Sequence, residues 1–371
     1  MAEPRLATAA DNEALLDLFA SVPMEGDLVL STLRAPDFFS LYRIQGCEAE
    51  CWVQDAAAQP GLSGVGTVLV RDGWLDGRPQ KVGYLGDLRA GPEAQRSRSV
   101  ARFYGAVLDG LITRTGCEVF LTAVLASNQR ALLALTRRRP ARASQPYYHL
   151  LRRFSAVSVQ LTRGRRSAPA LRCRIRTAEA ADVPALAAFL DRDHRGRICG
   201  YRFDAGELQR RLASWPAFSL GATYLAVDSE GAIAACASAW DPAAVKQYRV
   251  LAYRRGMRWA KLGWNVAAGL LGWPPLPPPG GVFRYFYLCN VSVRGEDPEI
   301  FRALLDRIYA DHRSRGYHFF TLYLEDDDPL RPALRGLRAR ALPFHLYAVT
   351  SAGRPRTQFP AVRTGFEIAL A

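Results

Sequence analysis

The chain has 371 residues, of which 49% are hydrophobic and 23% charged, and it carries a formal net charge of +14, with arginine far outnumbering lysine. This length predicts two or three domains, the apolar share supports sizeable cores, and no apolar run approaches the ~20 residues of a membrane-spanning helix. Seven cysteines scattered from Cys47 to Cys289 fit a reducing cytoplasm rather than a disulfide framework. Cys47-x-x-x-Cys51 lacks the second pair a zinc site needs, so no metal is expected.

The first residues lack the basic-then-apolar order of a secretory signal. Residues 9–15 read Ala-Ala-Asp-x-x-Ala-Leu, which predicts a helix opened by Asp11 as N-cap. A strand runs through Tyr84 to Ala90 and turns at Gly91-Pro92-Glu93. A loop of small and basic residues, 95–99, leads into a helix with apolar positions at Val100, Phe103, Tyr104, Val107, Leu108 and Leu111. Strand, small-residue loop and helix together present free backbone N–H groups to a phosphate. A strand at 118–124 follows, then a helix opened by Ser127 or Asn128, then a strand holding Tyr147, Tyr148 and His149.

The basic segment 162–169 reads as a linker, because residues 180–186 repeat the opening Ala-Ala-Asp-x-x-Ala-Leu and a similar element order follows. Strands are expected at 222–227, 232–239 and 283–293, a helix at 298–313, a strand at 318–323 and a helix at 329–338. Between Asp241 and Glu296 there is no acidic residue. Within that insertion Val250, Tyr253, Met257, Ala260, Trp264, Ala267 and Leu271 form a helical apolar stripe, and Arg254, Arg258, Lys261 and Asn265 a basic one. The pattern fits either a helix packed on the second half with its arginines solvated, or an interfacial anchor reaching an anionic membrane through 246–273. Nucleic acid is supported by charge alone and is not expected as a partner.

The unit from Tyr84 to Leu111 resembles the acyl-CoA-binding motif of the GNAT (general N-acetyltransferase) superfamily, in which an Arg/Gln-x-x-Gly-x-Gly/Ala loop grips the pyrophosphate. The matching run is Arg96-Ser97-Arg98-Ser99-Val100-Ala101, with Ser99 in place of the usual glycine. A frame beginning at Gln95 puts Arg98 at the glycine position; the Arg96 frame keeps the helix register. Asn128-Gln129-Arg130-Ala131 resembles the family's Asn-x-x-Ala signature, whose later tyrosine, the proton donor to the leaving thiolate, falls at Leu135 and is missing.

The resemblance implies an α/β fold of two tandem GNAT-like domains, 1–161 and 170–371, each a mixed, mostly antiparallel sheet with a splayed central pair. The insertion 242–281 lies in the second. It implies acetyl-CoA or another acyl-CoA held by Leu88, Ala90, Arg96, Ser97, Arg98, Ser99, Val100, Ala101 and Asn128. The implied activity is acyl transfer to an amine-bearing acceptor in the cytoplasm; the alternative is a non-catalytic acyl-CoA-binding or membrane-associated accessory protein. Asp87 is the candidate base, with a strand-end salt bridge to Arg89 as its competing role. Tyr147, Tyr148 and His149 are either packing residues or stand-ins for the missing tyrosine. In the second half Glu296, Asp297 and Glu299 occupy the place of the phosphate loop and repel an anion, so one coenzyme site per chain is expected.

Overall fold

The computed structural model describes residues 3–56, 61–91, 99–137, 145–162, 173–353 and 358–371. The first half runs β1 (Arg5–Leu6), α1 (Asn12–Ser21), β2 (Leu28–Leu33), α2 (Ser40–Arg43), β3 (Glu48–Asp55), β4 (Leu62–Leu75), β5 (Arg78–Ala90), α3 (Ser99–Thr115), β6 (Phe120–Leu125), α4 (Gln129–Thr136) and β7 (Tyr147–Gln160). The second runs β8 (Arg174–Thr177), α5 (Val183–Arg195), β9 (Gly200–Tyr201), α6 (Ala205–Ser214), β10 (Thr223–Val227), β11 (Ile233–Trp240), β12 (Gln247–Tyr253), α7 (Met257–Leu271), β13 (Tyr285–Val293), α8 (Pro298–His312), β14 (Phe319–Glu325) and β15 (Ala339–Thr350).

The sequence repeat has a structural cause. Arg5 pairs with Asp11 at 2.7 Å, and Arg176 with Asp182 at 2.6 Å. Each aspartate also accepts the backbone N–H three residues before it, from Thr8 at 2.7 Å and from Glu179 at 2.8 Å. Neither caps the following helix with its side chain, as the N-cap reading expected; each instead ties the edge strand to the turn that starts the helix.

The two halves build one thirteen-stranded sheet, ordered β1-β3-β4-β5-β6-β15-β7-β14-β13-β11-β10-β8 with β9 added on β4. Its middle is a reciprocal exchange. β15, from the second half, lies antiparallel between β6 and β7 of the first. β7, from the first half, lies antiparallel against β14 of the second. Each half's last strand therefore extends the other's sheet, and β7 and β15 pair along almost their whole length, from Ala339↔Val159 to Thr350↔Tyr147.

Helices cover both faces. α3 packs Leu108 and Leu111 on Val68, Leu85 and Phe120; α8 packs Phe301, Leu304 and Ile308 on β11, β13 and β14. α1 and the α5–α6 pair cover the opposite face.

Two expectations are corrected. The helix expected at 329–338 is only a 3₁₀ turn at Arg331–Leu334, broken by the chain's return into β15. The insertion is not one helix. Val250 and Tyr253 belong to β12, which pairs antiparallel with β2 of the first half, and both are buried in the core. Their spacing of three merges a strand with the start of a helix. No helix among the described residues is long and apolar enough to cross a membrane.

Candidate active site

β5 and β6 run parallel but pair only at Gly83↔Phe120 and Tyr84↔Leu121. Gly83 makes this closed end possible, since a Cβ there would lie 2.0 Å from Cδ1 of the Phe120 ring. Beyond it Thr122 Oγ1 donates to the Leu85 carbonyl at 2.9 Å, and the ladder ends although β5 continues to Ala90 and β6 to Leu125. The strands open into a wedge at their carboxyl ends, the side on which ligands bind in parallel α/β arrangements.

A β-bulge lies on the wedge wall. Gly86 faces Thr67 and Arg89 faces Val65, so Asp87 and Leu88 share one gap in the β4 ladder. Asp87 has φ +49°, a conformation that costs a non-glycine residue energy and persists only where neighbours enforce it. Those neighbours are Arg34, whose Nη2 donates to Asp87 Oδ2 at 2.7 Å, and Tyr42, whose hydroxyl donates to the same oxygen at 2.6 Å. Arg34 is only 1% exposed, and its guanidinium lies 5.3–5.6 Å from the ring centres of Phe19, Phe38 and Tyr42, an aromatic cage for a cation. Burial would push the Asp87 carboxyl up, but Arg34, the Tyr42 hydroxyl, Arg89 and Lys246 outweigh it and hold it below its ordinary value. The salt-bridge partner is Arg34, not Arg89. Arg89 turns away to the Phe19 and Val22 carbonyls, at 3.3 and 2.8 Å, and stacks 3.9 Å over Phe19.

The other expected residues fall around this wedge. Leu88 and Tyr148 each pack against both the α3 cluster and the α4 cluster of Val124, Leu132, Leu135 and Tyr347. Ala90 ends β5 opposite Gly64. Arg96, Ser97 and Arg98 lie outside the described residues. Ser99, Val100 and Ala101 form the first turn of α3, where N–H groups have no intrahelical acceptor. Asn128 caps α4, its Oδ1 accepting the Ala131 N–H at 3.1 Å. Tyr147 stacks on His149 with ring centres 5.9 Å apart, and His149 in turn meets Phe359; burial pushes the His149 imidazole below its ordinary value.

The second half has the same wedge, and it is full. β13 and β14 pair only from Tyr285↔Phe319 to Tyr287↔Thr321, and Asn290 repeats the bulge with φ +53°. Residues 363–371 lie in the opening. The Thr364 N–H and hydroxyl both donate to Glu325 Oε1 at 2.9 Å, at the end of β14. Glu367 Oε1 accepts the Asn290 N–H at 2.8 Å, the bulge amide itself. The turn Ile368–Leu370 then touches both strands. At the following helix Asp297 accepts the Glu299 and Ile300 N–H groups at 2.8 and 3.4 Å, and Glu296 pairs with Arg363 at 3.4 Å. Carboxylates thus satisfy the amides an anion would need.

Between the wedges lies a lysine that the sequence presented only as one more basic residue of the insertion. The β2–β12 register pairs Leu33 with Gln247, which sets Arg34 and Lys246 at the same end of that ladder. Lys246 is 3% exposed and donates to the backbone oxygens of Ala371 and Ala369 at 2.7 and 3.3 Å. Burial and the Arg34 cation, against smaller opposing effects of Asp87 and Cys289, lower its amine to about 7. Arg34, Tyr42 and Tyr347 were likewise not singled out in sequence; each is recognisable only once β2, α2 and β15 are brought to the wedge.

No family sequence model and no curated protein sequence matches the chain. Solved structures do match in fold. A GCN5-related N-acetyltransferase from Sphaerobacter thermophilus aligns with TM-score 0.57 at 14% identity, over 97% of this chain and 98% of its own. A tandem GNAT protein from the clavulanic acid biosynthesis pathway aligns with TM-score 0.55 at 10% identity, over 95% and 99%. Saccharomyces cerevisiae N-myristoyltransferase with bound myristoyl-CoA aligns with TM-score 0.59 at 9% identity, over 98% and 89%. The chain has the GNAT fold, in tandem.

Proposed function

We propose that the chain is a CoA-dependent N-acyltransferase whose first half, 1–161, binds one acetyl-CoA or longer acyl-CoA in the β5–β6 wedge, while the second half, 170–371, closes the site and helps bind an amine acceptor. The observation that carries this reading is the asymmetry of the wedges: residues 363–371 fill the second, whereas no such segment lies in the first among the described residues. In the first, the pantetheine arm would lie along Leu88–Ala90, with its pyrophosphate on 96–101 and the first turn of α3. Arg96 and Arg98 supply charge for it. Asn128 serves by fixing the start of α4.

Acyl transfer to an amine needs a polarised thioester carbonyl, a deprotonated amine and a protonated leaving thiolate. The bulge at Asp87-Leu88 breaks the ladder where a backbone donor is needed for the first. Asp87, held ionised and weakly basic by Arg34, is assigned to fixing the bulge rather than to removing a proton. Lys246, with an amine lowered to about 7, is the better matched base. Tyr148, packed on the same cluster as Leu88 and kept protonated because burial raises its hydroxyl pKa, is the proton donor to the thiolate.

A non-catalytic acyl-CoA-binding role has one observation in its favour: Lys246, the proposed base, is itself engaged in internal hydrogen bonds to the chain's backbone oxygens. Free-thiol release from acetyl-CoA and longer acyl-CoA, measured against a panel of amines, decides between them. Amine-dependent release supports the enzyme; coenzyme binding without release under any amine supports the binding protein.

A further inference from the structure

The helix α7 carries its apolar side outward. Trp259, Leu262, Val266 and Leu270 follow one another at spacings of three and four, and are 77, 58, 59 and 82% exposed; Leu271 beside them is 56% exposed. The inward side is held by specific contacts. Trp264 packs on Trp273 with centroids 5.4 Å apart and donates to the Pro274 carbonyl at 3.1 Å. Asn265 bonds Leu276 in both directions, at 2.8 and 3.4 Å, and Arg258 donates to the Tyr253 carbonyl at 3.0 Å. The helix is therefore fixed in this orientation, and the exposed stripe is not a loose segment awaiting burial. Soluble proteins rarely leave so continuous an apolar row in water without a partner for it.

The surroundings select the partner by charge. From residue 242 to residue 295 the chain has no carboxylate side chain, while Arg249 on β12, Arg254 and Arg255 in the turn after it, and Arg258 in the first turn of α7 are exposed. Two of these meet acids of the first half, Arg254 with Glu25 and Arg255 with Asp27, both at the protein surface. A helix with an exposed apolar row, a tryptophan on it and arginines at its start has the amphipathic form of an interfacial helix.

We propose that α7 docks the protein on an anionic lipid bilayer, with Trp259, Leu262, Val266 and Leu270 in the acyl–headgroup boundary and Arg249, Arg254 and Arg255 on the headgroups. A second copy of the chain is the weaker occupant, because a twofold contact would set the same arginine cluster against itself. The proposal is independent of the acyl-transfer reading, since it concerns a surface outside the wedge.

The test is co-sedimentation of the full-length protein with vesicles of phosphatidylcholine containing 30% phosphatidylglycerol, and with pure phosphatidylcholine, in 50 mM and 500 mM salt. The expected result is binding to the anionic vesicles, weakened several-fold by salt. Trp259→Ser/Leu270→Ser should bind at least tenfold more weakly with an unchanged thermal midpoint, both positions being exposed. Vesicles made with brominated lipid should quench fluorescence in the wild type more than in Trp259→Phe. No binding to anionic vesicles in low salt overturns the proposal, as does equal binding by the double variant. A dimer in light scattering that the double variant converts to monomer also overturns it, and assigns the stripe to a second copy.

Discussion

Replacing Arg34 by Met, or Asp87 by Asn, tests whether Asp87 is a strut or a base. The ion pair is almost dry, with Arg34 1% and Asp87 14% exposed. Removing one partner of a buried pair leaves the other uncompensated and costs about 3–5 kcal/mol. In Arg34→Met the ionised carboxylate keeps the Tyr42 hydroxyl and the more distant charges of Arg89 and Lys246, but loses its paired cation. In Asp87→Asn a guanidinium whose Nε and Nη1 already lack hydrogen-bond partners among the described residues loses its countercharge. The double variant strands no charge, so it should be destabilised by clearly less than the sum of the singles, with a coupling of roughly 2 kcal/mol or more. Urea unfolding of the four proteins measures this. The pH dependence has a definite sign. The Asp87 carboxyl is lower in the folded chain than in the unfolded chain, so its contribution is present above the ordinary carboxylate value near ~4 and lost as pH falls through the folded value. Arg34→Met should therefore show a smaller acid-side loss than the wild type. Additive stabilities would refute the strut. So would an Asp87→Asn protein that keeps its stability and coenzyme affinity while losing about 10²–10⁴ in kcat, the signature of a base.

Lys246 should make stability rise with pH between about 7 and its ordinary value near 10.5, where the unfolded chain holds a proton the folded chain does not; denaturation at pH 7 and 9.5 should show that rise, and Lys246→Met should flatten it. If Lys246 is also the base, kcat/KM should climb through pH ~7 in the wild type and lose that limb in the variant. The exchanged strands make the halves interdependent: 1–161 and 170–371 expressed separately should be insoluble or molten by near-ultraviolet circular dichroism, and co-expression should restore a soluble complex. A monomeric, cooperatively folding 1–161 would contradict the role given to β15. Replacing 246–280 by a short linker should unfold the protein, because it removes the core residues Val250 and Tyr253, whereas replacing only 257–271 should leave unfolding cooperative.

The tandem architecture was legible because local chemistry repeats. The Arg5–Asp11 and Arg176–Asp182 clamps leave the same short signature twice, and α3, α8 and the strands before them show their apolar periods plainly. The acidic start of the second helix was also legible, since Glu296 and Asp297 are consecutive residues whose contacts are local. What the sequence concealed is non-local. Nothing near Arg34 marks it as the partner of Asp87, 53 residues later, because β2 and the bulge meet only in the folded sheet. The exchange of β7 and β15 leaves no trace in either strand, since a pleated apolar strand reads alike beside any neighbour. The filling of the second wedge depends on Thr364 and Glu367 finding Glu325 and Asn290 across the fold. The insertion misled because residues spaced by three and four at 250–257 come from a strand and a helix joined end to end.

One coenzyme site per chain, in the first half, is what the acyl-transfer reading stands on. Calorimetric titration of the whole protein with CoA tests it most directly, alongside Arg96→Ala/Arg98→Ala. The stoichiometry should be near one, and the double variant should bind about 3–6 kcal/mol more weakly, from ~1.5–3 kcal/mol for each charge-assisted contact. Thioesters lacking the pyrophosphate should be far less affected. A stoichiometry near two, or CoA seated between β13 and β14, would contradict it.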